Sequence, residues 1–241
     1  MAVAVTVAVT WAVPALAIVG GQVGGPLEAS AVMVLHDRGG LCTGIVLAPD
    51  AVLTAAHCVP PGANVRVFFR EDGQPVLLEP RSVIRHPDFR NNAVQERTRS
   101  IDLALIRMSA PLPGRFSAAS LASSAPGGDA VPITVAGFGL SREGDPTATG
   151  TWRSAPLRTS SPYGISKILL WARAAPGVGA CQGDSGGPIV GPDGSVVAAI
   201  SWSTGQRGGK CGELTQGALL GAQRGWIDGT LAGWSRQANW R

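Results

Sequence analysis

The segment Cys181-Gln182-Gly183-Asp184-Ser185-Gly186-Gly187-Pro188 is the richest in potential chemistry. Glycines on both sides of Ser185 let the backbone approach a bound molecule closely and aim N–H groups at it. A serine hydroxyl is a weak nucleophile. It needs a base within hydrogen-bond reach, and the base needs a group to orient it. His57 is the candidate base. It ends the apolar stretch Leu53-Thr54-Ala55-Ala56 and adjoins Cys58, where a disulfide would hold it still. Asp102 is the candidate orienting group, a single carboxylate within Ile101-Asp102-Leu103-Ala104-Leu105-Ile106. A buried, unpaired carboxylate costs several kcal/mol, so Asp102 is expected to have a hydrogen-bond partner. Taken alone, it fits a residue that merely starts a strand at a turn just as well.

Other chemistries fail on the same sequence. Gly183-Asp184-Ser185-Gly186-Gly187 also fits the nucleophile elbow of α/β-hydrolases, but that fold needs its histidine after the serine. His36, His57 and His86 all precede Ser185. His36 and His86 read as surface or strand-edge residues. No phosphate-binding loop occurs, because Thr204 stands at its first glycine position and Cys211 follows Lys210. No acidic cluster has calcium-loop spacing. The net charge is +4, from 20 basic and 16 acidic residues. The basic residues are scattered and form no stripe, which excludes a nucleic-acid binder.

The four cysteines are Cys42, Cys58, Cys181 and Cys211. An even count without CxxC spacing argues for two disulfides and against zinc or a redox dithiol, with four unpaired core thiols as the alternative. Three connectivities are open. Cys42–Cys58 and Cys181–Cys211 close the shortest loops, each worth roughly 3 kcal/mol in chain entropy. Residues 1–17 carry no charge and end in Ala15-Leu16-Ala17, the pattern of a secretory signal peptide. The usual positive start is missing. An uncleaved anchor over residues 1–19 competes, but Pro14, the A-x-A end and the short length favour a signal. Export and disulfides support each other.

The elements that must position these side chains are short. The chain has 241 residues, 45% hydrophobic and 15% charged, with 33 Gly and 18 Pro. That composition excludes disorder and coiled coils and predicts frequent turns. Strands are expected near 31–35, 44–47, 52–55, 65–69, 76–78, 103–108, 131–136, 168–171, 188–190 and 196–200. One helix is expected over 218–235, despite its glycines. A stretch rich in Pro, Ser, Ala and Gly over 110–128 reads as a linker between two β halves.

Taken in order, these pieces resemble the trypsin/chymotrypsin-type serine proteases. The matching segments are Ile18-Val19-Gly20-Gly21, Thr54-Ala55-Ala56-His57-Cys58, Asp102-Leu103-Ala104-Leu105, Gly183 to Pro188, Ser201-Trp202 and Trp226-Ile227. The resemblance implies an all-β fold of two antiparallel β-barrels with a C-terminal α-helix. Residues 18–118 would form the first barrel, and 119–241 the second barrel plus the helix. It implies Ser185 as nucleophile, His57 as base and Asp102 as its orienting partner, steadied by Ser201. The N–H groups of Gly183 and Ser185 would form the oxyanion hole, and Ile18 would pair with Asp184 after cleavage. It implies the pairings Cys42–Cys58 and Cys181–Cys211. The substrate pocket would comprise Gly179 as an uncharged floor, with Ser201, Trp202, Ser203 and Gly217 as walls.

The implied function is a secreted serine endopeptidase, extracellular or periplasmic, acting on proteins or peptides. Protein inhibitors are expected as further partners. Neither metal nor cofactor, nucleic acid nor membrane is expected once the signal is removed, and the protein is expected to be a monomer. The rival is a catalytically inactive binding protein on the same fold. It is disfavoured because all three triad residues are present. Several positions depart from the family, among them Thr43, where Gly follows the cysteine in many relatives.

Overall fold

Runs of four to nine residues that alternate apolar and polar, broken by Gly, Pro and Asp, fold as short antiparallel strands. The computed structural model describes residues 18–96 and 98–241. It begins with β1 (Gln22–Val23). Seven strands then build one sheet: β2 (Ala31–His36), β3 (Gly40–Ala48), β4 (Ala51–Thr54), β5 (Val65–Glu71), β6 (Gln74–Leu78), β7 (Pro80–Arg85) and β8 (Ala104–Met108). Their order is β6-β5-β2-β3-β4-β8-β7. The second sheet holds β9 (Ser120–Leu121), β10 (Pro132–Gly137), β11 (Arg153–Ser160), β12 (Leu169–Arg173), β13 (Pro188–Val190), β14 (Val196–Thr204), β15 (Leu214–Leu219) and β16 (Asn239–Trp240). Its central order is β13-β10-β11-β12-β15-β14, and β14 pairs back onto β13. That return closes the sheet and leaves few exposed strand edges.

The two barrel-like sheets share a core. Ile45, Leu53 and Leu105 of the first pack with Val196, Ala199 and Leu220 of the second. Ile227 and Leu231 of the C-terminal helix, Arg224–Ala232, close the same cluster. Beyond the helix, Arg236 donates from Nε and Nη2 to the two oxygens of Asp50, at 2.7 and 3.1 Å. Asp50 lies in the turn between β3 and β4, so this bidentate pair ties the chain's end to the first sheet.

Most expected strands form, several extended by a few residues. β7, β11 and β15 were not expected. In β11 only alternate residues are buried, and the first buried position is Arg153, so hydropathy alone hides the strand. The helix begins later than 218. Ala218 and Leu219 are drawn into β15 by pairing with β12 and β14. The chain start also differs from the expected division. β1 pairs with β11, and Ile18 packs with Ile133 and Val135, so this segment lies on the second sheet. β9, inside the expected linker, pairs with β14 and β16.

Disulfides join Cys42 to Cys58 and Cys181 to Cys211. The first ties β3 to the turn after β4. The second ties the loop before β13 to the segment before β15. Among the described residues no helix is long and apolar enough to cross a membrane. The expected signal peptide lies in residues 1–17, outside the described residues.

Candidate active site

β4 and β8 are antiparallel neighbours, with Thr54 opposite Ala104. His57 follows β4 by three residues, and Asp102 precedes β8 by two. Both therefore leave the sheet at the same end. His57 occupies a single 3-10 turn, Ala56–Cys58, pinned by the Cys42–Cys58 bridge. Its backbone N donates to Asp102 Oδ1 at 3.0 Å, and its ring Nδ1 lies 2.7 Å from Oδ2. Ser201 Oγ donates to the same Oδ2 at 2.6 Å. Ser201 sits where the pairing of β14 with β15 slips between Ile200 and Trp202, and such a bulge re-aims a side chain.

These contacts set the charges. Burial works against a charged His57, but the hydrogen bond and the negative charge of Asp102 outweigh it and raise its pKa above the ordinary value. Burial likewise works against a charged Asp102. Hydrogen bonds from His57 and Ser201, with the charge of His57, prevail and hold its carboxyl below the usual range. With Nδ1 engaged by Asp102, Nε2 is the ring nitrogen left to exchange a proton.

Ser185 reaches this site from the second sheet. Its loop starts at the Cys181–Cys211 bridge and ends at β13. Gly186 has φ 81, and a Cβ there would lie 2.2 Å from Thr54 Oγ1, so only glycine fits against β4. The Ser185 carbonyl accepts from Thr43 N at 2.8 Å and lies 3.8 Å from Cys58 Sγ. The Ser185 backbone is thus held against Cys58, the residue that follows His57. No hydrogen bond joins Ser185 Oγ to the imidazole among the described residues. Catalytic hydrogen bonds are often long before substrate binds.

The carbonyls of the loop all turn inward. Gln182 O accepts from Leu140 N at 2.8 Å, and Asp184 O from Gly187 N at 2.8 Å. In a trans peptide the N–H points opposite the C=O. The N–H groups of Gly183 and Ser185 are thereby turned the other way, and neither has a protein acceptor among the described residues. Gly183 O is held by a residue that motif reading passed over as a mere departure. Thr43, wholly buried, donates from Oγ1 to Gly183 O at 2.9 Å and accepts from Phe138 N at 3.0 Å. Its only sequence signal was an unexpected threonine after Cys42.

Asp184 is fully buried. Its oxygens accept from Gly139 N at 2.8 Å and Cys181 N at 2.9 Å. Burial still dominates and pushes its pKa up to about 7. Ile18 is wholly buried too, next to a bridge between Val19 and Gly179.

The expected substrate pocket needs one correction. A side chain at Gly217 would meet Ile189 Cδ1 at 2.6 Å and Ala198 Cβ at 3.0 Å, so this position faces the barrel interior. The register of β14 with β15 puts Thr215 opposite Ser203, while Gly217 faces Ile200. Thr215 Oγ1 accepts from Ala180 N at 3.1 Å and lies 3.3 Å from where a Gly179 side chain would begin. Trp202 stands exposed at the rim, and Ser203 Oγ donates to Lys210 O at 2.8 Å. Cys42, His57 and Cys58 come within 4.8 Å of one another, but the two sulfurs are bonded together and offer no thiolate to a metal.

Comparison with known proteins agrees with this architecture. The family model described as Trypsin matches residues 18–217. Human kallikrein-8 is 29% identical over 178 residues, which cover 68% of this chain and 67% of that protein. Trypsin epsilon of Drosophila erecta is 30% identical over 186 residues, 72% of this chain and 70% of its own. A trypsin of Simulium vittatum is 27% identical over 232 residues, 83% of this chain and 89% of its own. A solved structure described as neuropsin, a serine protease expressed in the limbic system of mouse brain, superposes with a TM-score of 0.72. It covers 88% of this chain and 99% of its own at 24% identity, a likeness of fold.

The Thr43 hydroxyl makes a local prediction. Thr43→Val keeps the shape but leaves Gly183 O and Phe138 N without a partner. Ser185 reactivity toward a fluorophosphonate should fall about tenfold, the effect of losing the buried hydrogen bond that holds Gly183 O. Thr43→Ser should restore it. Equal labelling rates in wild type and Thr43→Val would show that the clamp does not support the loop.

Proposed function

The chain belongs to the trypsin family, and from that membership we propose that this serine endopeptidase works through Ser185, His57 and Asp102, is exported, and cleaves after small uncharged residues. Ser185 Oγ attacks the scissile carbonyl carbon as its proton passes to His57 Nε2. The carbonyl oxygen becomes an oxyanion, stabilised by the N–H groups of Gly183 and Ser185. The C–N bond then breaks, and the departing amine takes the proton from His57. An ester on Ser185 remains, and water attacks it by the same route in reverse. Asp102 keeps the Nδ1 proton in place and stabilises the imidazolium. The observation that carries this reading is the 2.7 Å contact of His57 Nδ1 with an Asp102 carboxylate that also accepts from Ser201.

Two disulfides with no free cysteine support export. Cleavage after Ala17 would free the α-amino group of Ile18 to pair with Asp184. A buried carboxylate pushed up to about 7 is what such an ammonium would relieve. The small P1 preference rests on Thr215 Oγ1, which fills space above Gly179.

A fluorophosphonate should label the wild type and not Ser185→Ala. Persistent label in that variant would mean the wrong serine has been named. The value of kcat/KM should rise with pH through an apparent pKa above 6.5, because neutral His57 is the working form and Asp102 lifts its pKa. A pH-independent profile from 5 to 9 would count against His57.

Asp184 sets a second pH dependence. In a chain blocked at Ile18, its folded pKa lies above its unfolded value. Its contribution to stability is therefore intact below about pH 4 and lost as pH rises to 7, at a cost of roughly 4 kcal/mol. A chain beginning at Ile18 should exceed one with an extra N-terminal residue in urea stability at pH 7.5, with the gap narrowing toward pH 4. Equal stability at pH 7.5 would remove the pairing. Among peptides varied only at P1, those with Ala or Val there should be cleaved fastest. Thr215→Gly should shift the optimum toward Leu or Phe, and fastest wild-type cleavage after Lys or Arg would overturn the pocket assignment.

A further inference from the structure

A cleft of about 870 Å³ leads away from His57 and Asp102 past Trp202 to Trp171 and Tyr163. One bank is aromatic. Tyr163 and Trp171 meet edge-to-face with centroids 5.1 Å apart, and Trp171 meets Trp202 in the same way at 6.3 Å. Tyr163 is 75% and Trp202 38% exposed, so this connected aromatic surface faces water. A row of solvated aromatics is a surface suited to an apolar partner.

The other bank is basic. Arg90 and Arg99 both line the cleft, and among the described residues its only carboxylate is Asp102. Asp102 is already engaged by His57 and Ser201. Arg90 is anchored, since its Nη1 donates to Pro87 O and Phe89 O at 2.9 Å and its backbone N to Ser100 Oγ at 2.9 Å. Arg99 is exposed, and its guanidinium makes neither a hydrogen bond nor an ion pair among the described residues. The cleft therefore holds two permanent positive charges with no acidic partner of their own.

The backbone supplies the register. β14 pairs with β13 only as far as Ala199, and Gly186 N closes on Ile200 O. From Ser201 onward, β14 is paired on one side alone among the described residues. An extended peptide can add there as a strand. Its side chains would alternate, so residues two apart share a face at a spacing of roughly 7 Å.

We propose that this cleft selects substrates with an acidic side chain among the second to fourth residues before the scissile bond, held by Arg99 with help from Arg90. The inference rests on the protease reading and extends it from the reacting bond to the substrate class. An exposed charge pair improved by a fixed guanidinium discriminates by about five- to tenfold.

The test uses matched peptides with Ala at P1 and either Glu or its neutral isostere Gln at P2, P3 or P4. The wild-type kcat/KM ratio of Glu over Gln should reach about five to ten at one position, and 0.5 M salt should lower it. Arg99→Ala should bring the ratio below about two, and Arg99→Glu should invert it. Because each ratio is taken within one variant, a general loss of activity does not alter it. A ratio near one at all three positions in wild type overturns the proposal, as does a preference that survives both Arg99→Ala and Arg90→Ala. If wild type takes the fluorophosphonate label while the ratio stays at one, only the acidic preference fails. If it takes no label and cleaves no peptide, the protease reading fails and this inference with it.

Discussion

One carboxylate joins the two halves of the molecule. Asp102 leaves the first sheet, receives two hydrogen bonds from His57 of that sheet, and receives a third from Ser201 of the second. A carboxylate this shielded is tolerated only when its lone pairs are satisfied. The constraint fixes the imidazole ring and the relation between the sheets together. It holds only because the shared core of Ile45, Leu105, Val196 and Ile227 brings both ends to the same seam.

Two carboxylates with opposite titration lie within the same fold. Both lose solvation. Asp102 recovers more than it loses from a nearby imidazole and a hydroxyl, and its pKa falls. Asp184 meets only two backbone N–H groups, which do not offset complete burial, and its pKa rises to about 7. The difference is the presence of an opposing charge. Asp102 therefore suits a group that stays ionised beside a base. Asp184 suits a group that waits for a cation.

Much of the fold was legible because hydropathy alternates where one face of a strand is buried. β5 stands out in that way, while β3, β4 and β13 stand out as unbroken apolar runs buried on both faces. β11 did not, since Arg153 occupies one of its inward positions and Pro156 interrupts the pattern. The C-terminal helix was read too early because Leu219 and Leu220 suit a helical stripe as well as a strand. Partners on β12 and β14 decided the matter, and local propensity carries no information about partners.

The sequence alone determined which chemical groups are available. Ser185 among glycines, His57 beside a cysteine and Asp102 in an apolar run are written in residue types and order, and so is the absence of a charge at Gly179. What only the tertiary structure decided is which groups meet. Thr43 bridges to Gly183 across 140 residues, and a one-residue slip in β14 puts Thr215 rather than Leu214 opposite Ser203. Neither follows from spacing along the chain. Side chains in a sheet alternate with period two, so a single unpaired residue changes which face each neighbour occupies. That residue reveals itself only once the strands have paired.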